Sequence, residues 1–169
     1  MEFKEVIRTR RSIRSYTEQG VADSTVEDLI RAAMLAPSAG NQQPWHFVVI
    51  RNRTDLSAIP DFHPFSKMVE TAPLAILVCG DPQGCKWPDY WAQDCSAATQ
   101  NLLLAARAIG LGTVWAGVFP DEGRMAGFRN LLGIPKNIYP FALVPVGWPA
   151  GEFVEMNRFR PERIHADHW

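Results

Sequence analysis

The stretch SAATQNLLLAARAIGLGTVWAGV, Ser96 to Val118, decides how the rest of the chain is read. From Ser96 to Leu111 it is apolar or small on nearly every side, the pattern of a helix surrounded by other elements rather than resting on a surface. The glycines that follow then test for a dinucleotide fold. Gly110 and Gly112 form a G-x-G, but they come after a helix and before the apolar run Thr113 to Val118, whereas a phosphate-cradling glycine loop follows a strand and opens a helix. The order argues against a Rossmann site. The strand predicted over this run carries Trp115, Ala116 and Gly117, and its two small residues let a flat ligand lie close to backbone N–H groups.

Helices and strands alternate on either side of this helix. In ADSTVEDLIRAAMLAP, Val26, Leu29, Ile30, Ala33 and Met34 recur at helical intervals until Pro37, and Ser24 and Glu27 have capping-box spacing. HFVVIR and LAILVC are short β-branched runs that read as strands covered on two faces. PFALVPVGW is a further strand, and Pro140 and Pro145 push it toward an edge or a bulge because proline donates nothing to a ladder. DEGRMAGFRNLLGIP places Met125, Phe128, Leu131 and Leu132 in helical register and stops at Gly133 and Pro135.

The 169 residues, 47% of them apolar, suffice for one domain spanning 1–169 with a proper core, and no repeat or linker divides them. A net charge of -1 and a pI near 6.4 argue against a nucleic-acid partner. The apolar runs fall short of a bilayer span and no signal segment opens the chain, so a cytoplasmic location is expected, without membrane contact. Cys79, Cys85 and Cys95 form neither a disulfide framework nor a zinc pattern. His165 and His168 are spaced as helical metal ligands can be, but with no third ligand in view no metal is expected.

Two clusters and one loop carry chemistry. RTRRSIRSY gathers Arg8, Arg10, Arg11 and Arg14 around Ser12, and NRFRPER brings Arg158, Arg160 and Arg163 near the other end, so seven of the 17 basic residues fall in two short segments. Such runs are commonly solvated faces, yet guanidiniums with a hydroxyl between them suit bidentate contact with a phosphate. The loop APSAGNQQPW after the second helix offers Ser38, Asn41, Gln42 and Gln43 as donors and acceptors, although an ordinary turn has the same composition. Phe62, Phe65, Trp87, Tyr90 and Trp91 flank predicted loops and serve equally as a wall for planar substrates or as core. Asp94 and Asn101, seven apart on the apolar helix, read as hydrogen-bonding residues between elements.

In order and spacing, RTRRSIRSY, APSAGNQQPWHFVVI, NLLLAARAIGLGTVWAGVF and NRFRPERI resemble the nitroreductase family of flavoproteins over nearly the whole chain. The resemblance implies an α+β fold with a central mixed β-sheet flanked by helices, a domain-intertwined homodimer, and FMN bound at the dimer interface with NADH or NADPH as electron donor. Carried over, Arg10, Arg11 and Ser12 become phosphate and ribityl contacts, with Arg14 near N1 and O2 of the flavin ring and Arg158 and Arg160 as phosphate partners from the tail. Pro37, Ser38, Ala39, Asn41 and Gln43 resemble the segment that reaches across to the flavin of the other subunit, with Trp45 as its anchor; Ala39 stands where many relatives have a second serine. Trp115, Ala116 and Gly117 lie along the ring, and the Gly117 N–H matches the position facing N5.

The activity implied is reduction of nitroaromatics, quinones or related electrophiles by a ping-pong mechanism, in which one open flavin face serves two substrates in turn. A fixed cation at Arg14 stabilises the negative charge that a two-electron-reduced ring gathers near N1, and no protein acid or base is required. Reductive dehalogenation or flavin breakdown on the same scaffold, and flavin binding without catalysis, are the alternatives.

Overall fold

Two strands with nearly every side chain buried set the architecture. The computed structural model describes residues 1–169 and orders them as α1 (Phe3–Thr9), α2 (Asp23–Met34), β1 (Trp45–Ile50), α3 (Arg53–Phe62), β2 (Leu74–Gly80), α4 (Trp91–Ala108), β3 (Gly112–Thr113), β4 (Ala116–Gly117), α5 (Glu122–Leu132) and β5 (Tyr139–Gly147). Alternation along the central strands sends Leu74, Ile76, Val78, Ala142, Val144 and Val146 into one core, shared with Leu29 of α2 and Leu102 of α4. Ala75, Leu77, Cys79 and Leu143 enter the other, shared with Leu56 of α3 and Phe128 of α5. The result is an α+β arrangement with helices on both faces of one sheet.

The sheet runs β1-β2-β5-β3, with β4 also on β5. Every ladder is antiparallel, and the mixed character rests on one parallel bridge between Ser12 and Thr113. The two prolines act differently from an edge signal, because β5 is central. Pro140 sits at a bulge, where the register against β2 shifts between Val78 and Cys79. Pro145 interrupts the other side. Thr113 pairs with Val146 and Ala116 with Leu143, so Pro145 falls opposite Val114, where the ladder needs an N–H that proline lacks. The single strand expected over Thr113 to Val118 therefore breaks into β3 and β4, and the Pro145 carbonyl accepts from the Tyr16 hydroxyl at 3.4 Å instead.

The capping box expected at Ser24 does not form. Helix α2 begins at Asp23 behind Ala22, which puts Ser24 inside the first turn, and no side chain caps it. Of the two strands expected to be covered on both faces, β2 is; β1 lies at the sheet edge with His46 and Val49 exposed. Along α4 only Gln93 and Gln100 are exposed, as its composition implied. Its Asn101 donates to the Ala32 carbonyl at 3.1 Å and ties it to α2. No helix is long and apolar enough to cross a membrane.

Candidate functional site

Beyond α1 the chain extends along β3, where the Ile13 N–H donates to the Thr113 carbonyl at 2.9 Å. A Cβ on Gly112 would lie 2.7 Å from Ile13, so glycine there admits this close approach. The arginine segment is thereby fixed beside the stretch that leads to Gly117.

At its start is a group of cations without a matching acid. One Arg11 nitrogen donates to the Arg10 carbonyl at 2.6 Å, while Arg11 Nε and Nη2 are buried with no partner. Burial, then the charges of Arg11 and Arg158, lower the Arg10 pKa from its ordinary value, which places the tail arginine in the same field. None of the three forms a salt bridge; Glu155, the acid within reach of Arg11, is held by Arg8 through bonds of 2.8 and 2.6 Å. That pair and the Phe153 ring, 3.8 Å from the Arg107 guanidinium, seat the tail on α1 and α4. Crowded guanidiniums with orphaned buried donors are the chemistry of a phosphate site. Arg160 does not join them: it faces Glu162 at 3.9 Å and its neighbouring Phe159 carbonyl at 3.3 Å.

A few residues on, Arg14 lines a cavity of about 750 Å³ together with Val114, Trp115, Ala116 and Gly117. Ser12, exposed, lies between the cations and this cavity. The far wall comes from Pro64–Glu70, a 3-10 turn after α3, and from Arg124 at the start of α5. Lys67 and Phe65 on that turn are cavity residues that the sequence reading missed or left undecided, and Arg124 was not singled out at all. The only local signal was a Lys and an aromatic between a helix and a strand.

Gly117 has a distinctive backbone. It pairs with Ala142, while the Val118 N–H beyond it donates to the Phe141 carbonyl at 3.0 Å; this alternation makes Gly117 a position whose own N–H and C=O both turn away from β5. The carbonyl accepts from Arg124 Nη1 at 2.9 Å. The N–H turns to the same side, and Gly117 and Arg124 both line the cavity.

None of Pro37, Ser38, Ala39, Asn41 and Gln43 reaches this cavity. They form a separate loop with left-handed backbone at Gly40, Asn41 and Gln43, a strain that bulky residues avoid unless their surroundings impose it. Asp94, 5% exposed, imposes it: its two oxygens accept from the Ala39 N–H at 2.9 Å and from the Gln42 amide at 2.8 Å. Gln42 also exchanges hydrogen bonds with the Trp87 backbone at 3.0 and 3.1 Å. Ser38 and Asn41 accept from Gln43, each at 3.0 Å. Trp87 and Tyr90 are half exposed beside this loop, Phe65 is exposed at the cavity, and Phe62 and Trp91 pack into aromatic clusters of the core with Phe128 and Phe141.

Comparison with known proteins gives four findings. The profile of the Nitroreductase family matches residues 7–61 and 63–148. A protein of Archaeoglobus fulgidus named for NADH dehydrogenase and NAD(P)H nitroreductase is 51% identical over 99% of both chains. Among solved structures, one from Parabacteroides distasonis with the same name superposes at a TM-score of 0.95 with 38% identity over 99% of this chain and 98% of its own. One from Desulfovibrio desulfuricans, named a nitroreductase and solved in complex with FMN, superposes at 0.85 with 30% identity over 100% and 98%.

Proposed function

Because the chain belongs to the nitroreductase family, we propose that it is an FMN-dependent oxidoreductase, drawing electrons from NADH or NADPH and reducing nitroaromatics, quinones or related electrophiles by a ping-pong mechanism. The observation that carries this reading is the pair of unpartnered buried donors on Arg11 within a cationic group, three residues of chain from a cavity walled by Arg14 and Gly117. Three extended residues span about 10 Å, which suits a phosphate at one end and a planar ring at the other.

Arg10, Arg11 and Arg158 would hold the phosphate, Ser12 the linker, and Arg14 and Lys67 the cavity end, with Trp115, Ala116 and Gly117 alongside the ring. Bound there, FMN supplies hydride transfer in both directions. The cation at Arg14 would stabilise negative charge gathered on the reduced ring, and the Gly117 N–H would help to orient it. Arg160, paired with Glu162, would have to release that acid to reach a phosphate.

A two-fold homodimer completes the reading. The loop from Pro37 to Gln43 is held by hydrogen bonds to Asp94 and within itself, yet lies outside its own chain's cavity, as expected if it serves the partner's. The tail exposes Val154, Met156, Phe159 and Ile164, apolar surface that a second copy would cover.

The test is anaerobic. Purified protein loaded with FMN should bleach with NADH or NADPH and recover its colour with a quinone or a nitroaromatic, and initial rates at varied donor and acceptor should give parallel double-reciprocal lines. Failure to take up FMN, or intersecting lines, would refute the corresponding part of the proposal.

A further inference from the structure

Gly117 is not explained by its own chain. Its backbone is not left-handed, and a Cβ built on it meets nothing within 4 Å. Strand β4 is only two residues long: Ala116 is held against Leu143, and beyond Gly117 the N–H groups of Val118 and Phe119 both converge on the Phe141 carbonyl at 3.0 Å. Between these attachments Gly117 offers its N–H and C=O to the opposite side, where no strand fixes them. A glycine so placed turns its peptide groups at little steric cost.

We infer that Arg124 is a positioning residue for the reaction: its guanidinium grips the Gly117 carbonyl and thereby keeps the Gly117 N–H aimed into the cavity. This rests on the proposal that the cavity takes the flavin ring. The grip is a charge-assisted bond of 2.9 Å. Arg124 is itself immobilised on several sides. Asp121 accepts the Arg124 N–H at 2.9 Å as the cap of α5, and its second oxygen faces Arg124 Nε at 3.4 Å. The Phe65 ring lies 5.3 Å from the guanidinium.

The buried His63 lines the same cavity, and neither of its ring nitrogens has a hydrogen-bond partner. Burial first, and the Arg124 charge second, lower its pKa and favour the neutral ring, so Arg124 is the only charged donor to Gly117. This arrangement gives the N–H its direction before any ligand arrives, which is what an orienting group needs in order to act without reorganisation.

The test uses Arg124→Met, Arg124→Lys and Asp121→Asn, the last keeping a capping side chain while removing the acid behind Arg124. In the FMN-free protein, the Gly117 amide order parameter should be near the rigid value of about 0.85 and fall below about 0.6 in Arg124→Met. FMN affinity should then weaken about tenfold, reduction by NADH and reoxidation by quinone should slow together, and Asp121→Asn and Arg124→Lys should fall between the extremes. An unchanged order parameter in folded Arg124→Met overturns the inference even if affinity drops, since the arginine would then act as a charge and not as a clamp. If the unaltered protein takes up no FMN, the functional proposal fails, while the order parameter still decides whether Arg124 holds Gly117.

Discussion

Asp94 on α4 and Ala39 in the loop before β1 are 55 residues apart and joined by a 2.9 Å bond from the Ala39 N–H to the buried carboxylate. The other oxygen of Asp94 takes the Gln42 amide, so one acid sets the conformation of a loop with three left-handed residues. Asp94→Ala leaves both donors without their partner, and about 2 to 3 kcal/mol of stability should be lost in urea unfolding. Asp94→Asn, which can still accept one of the two bonds, should lose less. Equal stability in all three proteins would show that the loop holds itself.

Two glycines should respond to alanine in opposite ways. At Gly117 the added methyl group enters open space, so stability should change by less than about 1 kcal/mol while FMN affinity falls at least tenfold. At Gly112 the same methyl group meets Ile13 at 2.7 Å, and unfolding should become easier by about 1 to 3 kcal/mol. Thermal unfolding with and without FMN separates the two effects. Normal FMN affinity in Gly117→Ala would place the ring elsewhere.

Arg11 carries two buried donors that nothing in the chain satisfies, so an anion that reaches them should stabilise the protein. Added FMN at a hundred times its dissociation constant should raise unfolding free energy by about 2.7 kcal/mol. Arg11→Met should abolish most of this gain and leave the FMN-free protein as stable as before or more so, because it removes an uncompensated buried charge. If Arg11→Met lost stability without FMN and kept the gain with it, the cation would be a structural group and not a phosphate contact.

The sequence made the central helix, β2, the α5 register and the arginine clusters legible because each rests on local pattern: burial all round, unbroken apolar runs, or charge spacing. What escaped it depended on partners distant in the chain. That Pro145 would split a strand was visible only once Val114 stood opposite it, and Arg158 differs from Arg160 only in which charges surround it. Helix α3, capped by Asn52, carries Pro60 within its last turn, a residue that speaks against a helix in the sequence, and with it went the turn that brings Phe65 and Lys67 to the cavity. Gln42 was noted only as a polar loop residue; its role appears when Asp94 and Trp87 are seen on either side of it.

Arg14 is exposed and lines the cavity, where the proposed function makes it the cation beside the ring. Replacing it by alanine should make bound flavin harder to reduce. A loss of about 1 to 2 kcal/mol of stabilisation corresponds to about 20 to 45 mV for two electrons, and spectroelectrochemical titration reads it directly. A potential equal to that of the unaltered protein would remove Arg14 from the role.

His63 predicts how stability follows pH. Its ring is buried, and burial first and the Arg124 charge second lower its pKa below the ordinary 6.5, against smaller opposing pulls from the backbone of Gly117 and of His63 itself and, last, from Asp121. The unfolded chain therefore binds this proton more readily than the folded one. Above about pH 6.5 both states carry a neutral ring and stability is fully present. As pH falls below 6.5 the unfolded state takes up the proton first, and stability declines, by at most about 1.4 kcal/mol per pH unit, until the folded-state pKa is passed. Urea unfolding between pH 7.5 and 5, a window above most carboxylate titrations, should show this decline in the unaltered protein and a flatter profile in His63→Leu. Parallel profiles would mean that the buried ring accepts its proton as easily as it does in water, and that Arg124 exerts no field upon it.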